Sequence, residues 1–291
     1  MNQIIKLIIG GLMIGCVYGV LGMGYSLVYK ATGLMNLAQG DFLMFGAFIG
    51  LTFYKTLQLP YFLAIILTFV VMFALGWLIQ VGLITKLLRR GATFAYIILC
   101  TAAISMILQN GALVIWGAIP QYFPSIFEKA SVKVLGVNVA PEQLVVLGLG
   151  VTMMFGLHIF LNKTKFGTAM RAAALNPKAA SSMGINVSVT RGVTWGLSAG
   201  LAGILGAALG PYYGVYVTLG SLIGQKAFAG AVAGGYGNIY GAIIGGMFFG
   251  FLETFTAAYV TTVYKDCISF GVMILLLIFM PTGLFKEQVL E

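Results

Sequence analysis

Acid is the scarcest chemistry in this chain. Seven Asp and Glu residues, one histidine and three cysteines are spread over 291 positions, and charge of either sign makes up only 8%. Cys16, Cys100 and Cys267 stand alone within apolar runs, without disulfide or metal spacing, and read as small hydrophobes. The lone histidine, His158, ends an apolar run one turn before Asn162. With no second ligand it reads as an interfacial side chain reaching water, not as a metal ligand or proton relay. H-E-x-x-H and paired histidines do not occur, which argues against an intramembrane metallohydrolase. No G-x-x-x-x-G-K-[ST] occurs either, so any ATP hydrolysis belongs to another chain.

What fills the chain is apolar. Hydrophobic residues make up 60%, with 40 glycines and 21 phenylalanines, and mean hydropathy is +1.02. At about 20 residues per span, residues 1–291 form a single transmembrane domain. The expected fold is an all-α integral membrane protein, a polytopic bundle of eight or nine hydrophobic segments. The net charge of +9 does not point to nucleic acid: the cations sit in short loops at span ends, where membrane orientation requires them. Met1–Lys6 leads into a run too long and glycine-rich for a signal peptide, so the first span is expected to be retained.

Span one, about Leu7 to Tyr29, carries Gly11, Gly15 and Gly19 on one helix face, which suits close approach of another helix. Asn36, Gln39 and Asp41 follow at the mouth of span two, where polar groups either cap the helix or line a path. The later spans are read at about Tyr61–Ile84, Phe94–Ile115, Gln143–Leu161 and Val193–Leu209, then about Ile239–Ala258 and Cys267–Met280, the last ended by Pro281 and Gly283 before Lys286. Glu253 is an intramembrane acid with no partner evident in the sequence. The run from Leu222 to Gly235 is short, and is either a tilted span, a re-entrant helix or a broken one. Residues 116–141 form a mixed-charge loop with Glu128, Lys129 and Lys133. Within it VKVLGVNV alternates like a strand, and the loop is expected mainly to cap the bundle.

The longest polar stretch is 162–191, NKTKFGTAMRAAALNPKAASSMGINVSVTR, basic and without a single acid. With Lys86, Arg89 and Arg90 it marks the cytoplasmic side. Counting nine crossings then puts the N-terminus outside and the C-terminus inside; eight would move the C-terminus outside. Gly167 to Leu175 favours helix. Asn176-Pro177 reads as an N-cap followed by proline at the first position of a second short helix, which Gly184 closes. Such an ordered knob exceeds what a connector needs and suits a docking surface for a cytoplasmic partner.

The segment F-G-x-A-x-R-A-A-A-x-N-P-x-A-A-x-x-x-G-I-N-V resembles the coupling segment of permease subunits of branched-chain amino acid ABC importers, the LivH/LivM family. Two further blocks agree. Gly33, Asn36, Ala38, Gly40, Asp41, Gly46, Ala47 and Phe48 form one; Gln39 stands where the family more often has histidine. Lys226, Ala227, Phe228, Gly234, Gly235, Gly237, Ile239, Gly241, Ala242, Gly245 and Gly246 form the other, and its glycines read as helix packing and a tight turn. By length the chain is LivH-type.

The resemblance implies ATPase coupling through Gly167, Arg171, Asn176, Pro177, Lys178, Gly184, Ile185 and Asn186. It implies a second, LivM-type permease subunit, two cytoplasmic ATPase subunits that bind ATP and Mg, and a periplasmic or lipid-anchored substrate-binding protein. The cargo would be a branched-chain or related amino acid, and the location a bacterial inner membrane. This chain itself would hold no cofactor or metal. Candidates for a translocation path or gate are Asn36, Gln39, Asp41, Gly234, Gly235, Gly237 and Glu253. The competing reading is a secondary carrier or channel that uses Asp41 and Glu253 as proton or cation sites.

Overall fold

The computed structural model describes residues 2–124, 127, 131–134, 136–280 and 282–285. Glu128, Lys129, Pro281 and Lys286, named above, lie outside the described residues. The chain is helical nearly throughout. In order come α1 (Asn2–Thr32), α2 (Gln39–Leu51), α3 (Tyr61–Ile79), α4 (Thr85–Arg89), α5 (Phe94–Trp116), α6 (Pro141–Lys163), α7 (Lys165–Leu175), α8 (Pro177–Ser182), α9 (Val187–Tyr213), α10 (Leu219–Gly235), α11 (Ile239–Tyr259) and α12 (Lys265–Phe279). A π-helical turn, Gln80–Ile84, joins α3 to α4, and another, Thr52–Thr56, extends α2.

Among the described residues six helices are long and apolar enough to cross a membrane: α1, α3 with α4, α5, α6, α9 and α11. The shorter α2, α10 and α12 sit with them. The stretch read as beginning at Leu222 is one continuous helix that begins earlier, at Leu219. The loop after α5 carries a small antiparallel hairpin, β1 (Val132–Val134) and β2 (Val137–Val139), in the stretch whose alternation suggested strand. Gln121 pairs with Val215 through two backbone hydrogen bonds of 2.8 and 2.7 Å, so this loop packs onto the bundle.

α9 is the central helix. In its most apolar window 83% of residues are buried, against 28% in those of α3, α5 and α6. Glycine explains this position. In a bilayer, apolar side chains gain little by leaving lipid, so association depends on close fit. Gly196 and Gly200 lie against the rings of Phe73 and Phe69 on α3, and Gly46 of α2 meets Gly203 backbone to backbone. A second seam joins α1 to α11: a Cβ on Gly15 would stand 2.9 Å from Met247 Cα, and one on Gly11 would stand 2.7 Å from the Phe251 ring. Span one is therefore an interior helix, as its glycine spacing suggested.

The partners of α1 also fix its direction. Gly19 neighbours Met154 and Cys16 neighbours Gly150, so α1 and α6 run side by side in the same sense. Leu284 N–H donates to Ala233 O at 2.8 Å and Phe285 N–H to Gly234 O at 3.1 Å. The end of α10 thus lies with residues 284–285, at the bundle end that also holds Asn162 and Tyr240. Cys16 is buried and Cys100 half-buried, but Cys267, expected in a packed run, is exposed because it lies on the peripheral α12.

Gly46→Leu should lower the stability of the detergent-purified protein by ~3 kcal/mol or more through overpacking. Gly148→Leu, at a position with nothing within 4 Å of the added Cβ, should leave the melting midpoint close to wild type. Equal midpoints for the two variants would refute the glycine-seam account.

Candidate functional site

The polar residues at the start of α2 divide into two groups. Asn36 and Gln39 are buried, at 1% and 0% exposure, and point into the bundle. Asn36 Nδ2 donates to Gln39 Oε1 at 3.3 Å, and its Oδ1 accepts from the Ala38 N–H at 3.1 Å. Gln39 Nε2 donates to Ser198 O at 3.1 Å. The Ser198 hydroxyl lies 2.9 Å from Gln39 Oε1 and 3.0 Å from the Gly24 carbonyl. This network ties α2 to α1 and α9, and satisfies groups that would otherwise be stranded without water.

Asp41 faces elsewhere. Its Oδ1 accepts from Gln109 Nε2 of α5 at 2.9 Å. The carboxylate lines a cavity of about 290 Å³ whose polar groups come from Ser105, Gln109, Ser221, Gln225 and Tyr25, and whose apolar wall includes Leu37 and Phe228, where the first turns of α2 and α10 meet. Gly40 and Gly224 bring those two helices together: a Cβ on Gly224 would stand 2.7 Å from Gly40 Cα. The Tyr25 hydroxyl donates to Gly224 O at 3.4 Å. One carboxylate among neutral hydrogen-bonding groups, beside the positive ends of two helix dipoles, can accept an ammonium group and tolerate a carboxylate next to it.

Glu253, for which the sequence offered no partner, has three. Its Oε1 pairs with Lys226 Nζ at 2.7 Å and Lys265 Nζ at 2.8 Å. The Tyr18 hydroxyl donates to its other oxygen. Lys226 also pairs with Asp266 at 2.7 Å. The two lysines and two acids balance, so four helices (α1, α10, α11 and α12) share one neutral ion cluster. Burying an unpaired carboxylate would be prohibitive, whereas a hydrogen-bonded pair is tolerated. The sequence signal for it was Lys226, a cation inside an apolar run.

Gly234 and Gly235 end α10, and Gly237 lies in the turn that leads to α11. Gly235 and Gly237 have positive φ of +106° and +98°, which only glycine adopts freely. Gly234 abuts Gly241, Gly235 abuts the Phe285 carbonyl, and Gly237 N–H donates to Ser26 Oγ at 3.4 Å.

The basic segment is ordered as its sequence suggests. Thr164 caps α7 by accepting from Gly167 N–H at 3.0 Å. Asn176 caps α8 through Ala179 N–H at 3.0 Å, with Pro177 at its first position. Asn186 caps α9 through Val189 N–H at 3.2 Å, and Gly184 has φ +83°. Three side-chain caps in sequence fix the starts of α7, α8 and α9. Leu175 and Met183, at the ends of α7 and α8, are 70% and 84% exposed. Arg171 turns back instead, and its Nη1 donates to Asn162 Oδ1 at 3.2 Å.

The chain is a polytopic helical bundle with a cavity where two helix starts converge. Its family follows from sequence comparison. Residues 7–277 match the family described as "Branched-chain amino acid transport system / permease component", and the chain belongs to that family. It is similar to the high-affinity branched-chain amino acid transport system permease protein BraD of Pseudomonas aeruginosa, at 32% identity over 98% of this chain and 96% of the relative. The corresponding LivH of Escherichia coli K12 is 30% identical, over 97% and 95%. A probable LivH of Methanocaldococcus jannaschii is 31% identical over 59% of this chain and 55% of that protein's length. The solved PsaBC from Streptococcus pneumoniae in complex with Fab superposes with a TM-score of 0.48 at 12% identity, covering 92% of this chain and 90% of the other.

Glu253→Gln should destabilise the purified protein by ~3 kcal/mol, because it leaves buried Lys226 and half-buried Lys265 with one carboxylate between them. Lys226→Met combined with Glu253→Gln removes one charge of each sign and should recover at least half of that loss. No recovery in a thermal melt of the double variant would show that the pair is not the unit of stability.

Proposed function

We propose that this chain is the permease subunit of a binding-protein-dependent ABC importer that moves branched-chain or related amino acids into the cytoplasm by ATP-driven alternating access. The observation that carries the coupling role is the α7–α8 knob, a pair of short helices each with a side-chain cap, presenting exposed Leu175 and Met183 on a basic segment. Apolar tips held on a rigid polar scaffold are what a groove on a partner protein recognises. Gly167, Asn176, Pro177, Gly184, Ile185 and Asn186 set the shape of the knob, and Lys178 lies on it. Arg171 supports it from beneath.

Two cytoplasmic ATPase subunits supply ATP and Mg binding, a LivM-type subunit completes the permease pair, and a periplasmic or lipid-anchored binding protein delivers the amino acid. The basic end of the bundle is cytoplasmic by the charge rule, in a bacterial inner membrane. ATP-driven closure of the ATPase pair acts on the knob only if the knob binds differently in the two transport states. The path runs past Asp41, whose carboxylate takes the substrate ammonium. Asn36 and Gln39 hold the helix that carries Asp41, and the turn at Gly234, Gly235 and Gly237 allows α10 to move against α11.

The reading of Asp41 and Glu253 as proton or cation sites of a secondary carrier is the weaker one. Glu253 is engaged by two lysines and a tyrosine, which leaves it poorly suited to exchange a proton with a path.

In the reconstituted complex, Met183→Glu with Leu175→Glu should abolish substrate-stimulated ATP hydrolysis while the chain stays folded in the membrane. Asp41→Asn should cut uptake ~10-fold, the loss of about 1.4 kcal/mol from one charged contact, with the complex still assembled. Uptake should persist when the proton gradient is collapsed and ATP is present. Unchanged ATPase stimulation in the knob variant, or uptake that follows the proton gradient alone, would overturn the assignment.

A further inference from the structure

The Asp41 cavity is walled in part by the rings of Tyr25 and Phe228, and from there a line of aromatic rings leads to the cytoplasmic end. Tyr25 and Phe228 meet edge to face with centroids 5.4 Å apart. Phe228 meets Tyr236 at 5.5 Å, and Tyr236 meets Tyr29 at 4.7 Å. Tyr29 stands one turn beyond Tyr25 on α1, towards the end of that helix at Thr32. Tyr236 follows the last residue of α10, at the bundle end that holds Tyr240. Tyr25 is buried, and the other three rings are half-buried. Rings from α1, from α10 and from the turn after α10 thus alternate in one column between the cavity and the cytoplasmic face.

The column is built to move. Phe228 is the one aromatic residue of α10, a helix that meets its neighbours through Gly224, Gly230 and Gly234. Positions without bulk leave few knobs to lock α10 in register, so it can shift and carry the ring with it. Tyr236 sits between Gly235 and Gly237, both at positive φ, so the backbone on either side of the ring is free of the limits that a Cβ imposes. Its hydroxyl is buried yet meets no hydrogen-bond partner among the described residues. A buried hydroxyl without a partner costs free energy, which water returns once the ring swings out. Ring packing holds the column shut, and the orphan hydroxyl favours its opening.

We propose that Tyr236, Phe228 and Tyr29 form the cytoplasmic gate of the transport path, closing the Asp41 cavity to water until α10 and its turn move. The assignment rests on the reading that the path runs past Asp41. In the closed state Tyr25 stays with the cavity, its hydroxyl donating to Gly224 O at 3.4 Å, while the rings beyond it fill the exit. A rotamer change sweeps such a flat, rigid ring aside without unfolding the helix that carries it.

The test reads water access to the cavity directly. Ser221, on the cavity wall, is replaced by cysteine in the full chain, with Cys16, Cys100 and Cys267 replaced by alanine. A membrane-impermeant methanethiosulfonate is applied, without ATP, to inside-out vesicles holding the assembled complex, so that it arrives from the cytoplasmic side. Labelling then follows the fraction of time the gate stands open. Tyr236→Ala and Phe228→Ala should each speed it at least ~10-fold. Tyr236→Phe keeps the ring and should be labelled as slowly as the unaltered gate, or more slowly. It should also melt no lower than its parent, because the hydroxyl it removes has no partner. Equal labelling with and without the rings overturns the gate. So does fast labelling or a lowered melting temperature in Tyr236→Phe, a variant that leaves no void to threaten folding. The reading beneath the gate fails separately: unchanged uptake in Asp41→Asn would take the cavity off the path, whatever the labelling shows.

Discussion

Helices in a bilayer cannot be driven together by expelling water from apolar surfaces, because lipid tails are as apolar as the helices themselves. This bundle depends instead on backbones that approach within side-chain distance. The seams along α1 and α11, along α2 and α9, and along α10 and α11 are all lined by glycine on both sides. Each seam places α-carbon against α-carbon, and each fixes where a polar group can go. Gln39 reaches Ser198 because Gly24 leaves it room, and Asp41 reaches the cavity because Gly40 and Gly224 let α2 and α10 start side by side.

Electrostatics is added to that framework rather than building it. Glu253, Lys226, Lys265 and Asp266 cost desolvation energy that their mutual attraction roughly offsets. What such a cluster provides is a definite partner for each of four helices, in a medium where apolar contacts are interchangeable. Asp41 differs in kind, since its described neighbours in the cavity are neutral amide and hydroxyl groups, with no cation among the described lining residues.

Much of this was legible in the sequence because the signals were local. The caps at Asn176 and Asn186, the left-handed Gly184, the glycine face of α1 and the strand alternation of residues 132–139 each depend on neighbours a few positions apart. The partners of Glu253 were not legible, since Lys226 and Lys265 are 27 and 12 residues away and meet it only across helices. Nor was the split between Gln39 and Asp41: two positions apart near the start of one helix, they turn to opposite surroundings, and only the packing of α5 and α9 decides which is which. The contact of Arg171 with Asn162, across the junction of α6 and α7, was likewise not legible in its motif. The start of α10 lies upstream of the run read from Leu222, because Leu219 and Gly220 belong to the helix and Gly220 packs on Gly40.

The hydrogen bonds from Leu284 and Phe285 to Ala233 and Gly234 bear on how the protein is made. A helix end leaves carbonyls without partners, and here the carbonyls that close α10 are answered by amides some fifty residues later in the chain. A ribosome synthesising this protein releases α10 into the membrane long before those amides exist. The α10–α11 turn therefore stays unfinished through the insertion of α11 and α12, and is sealed only as one of the last acts of assembly.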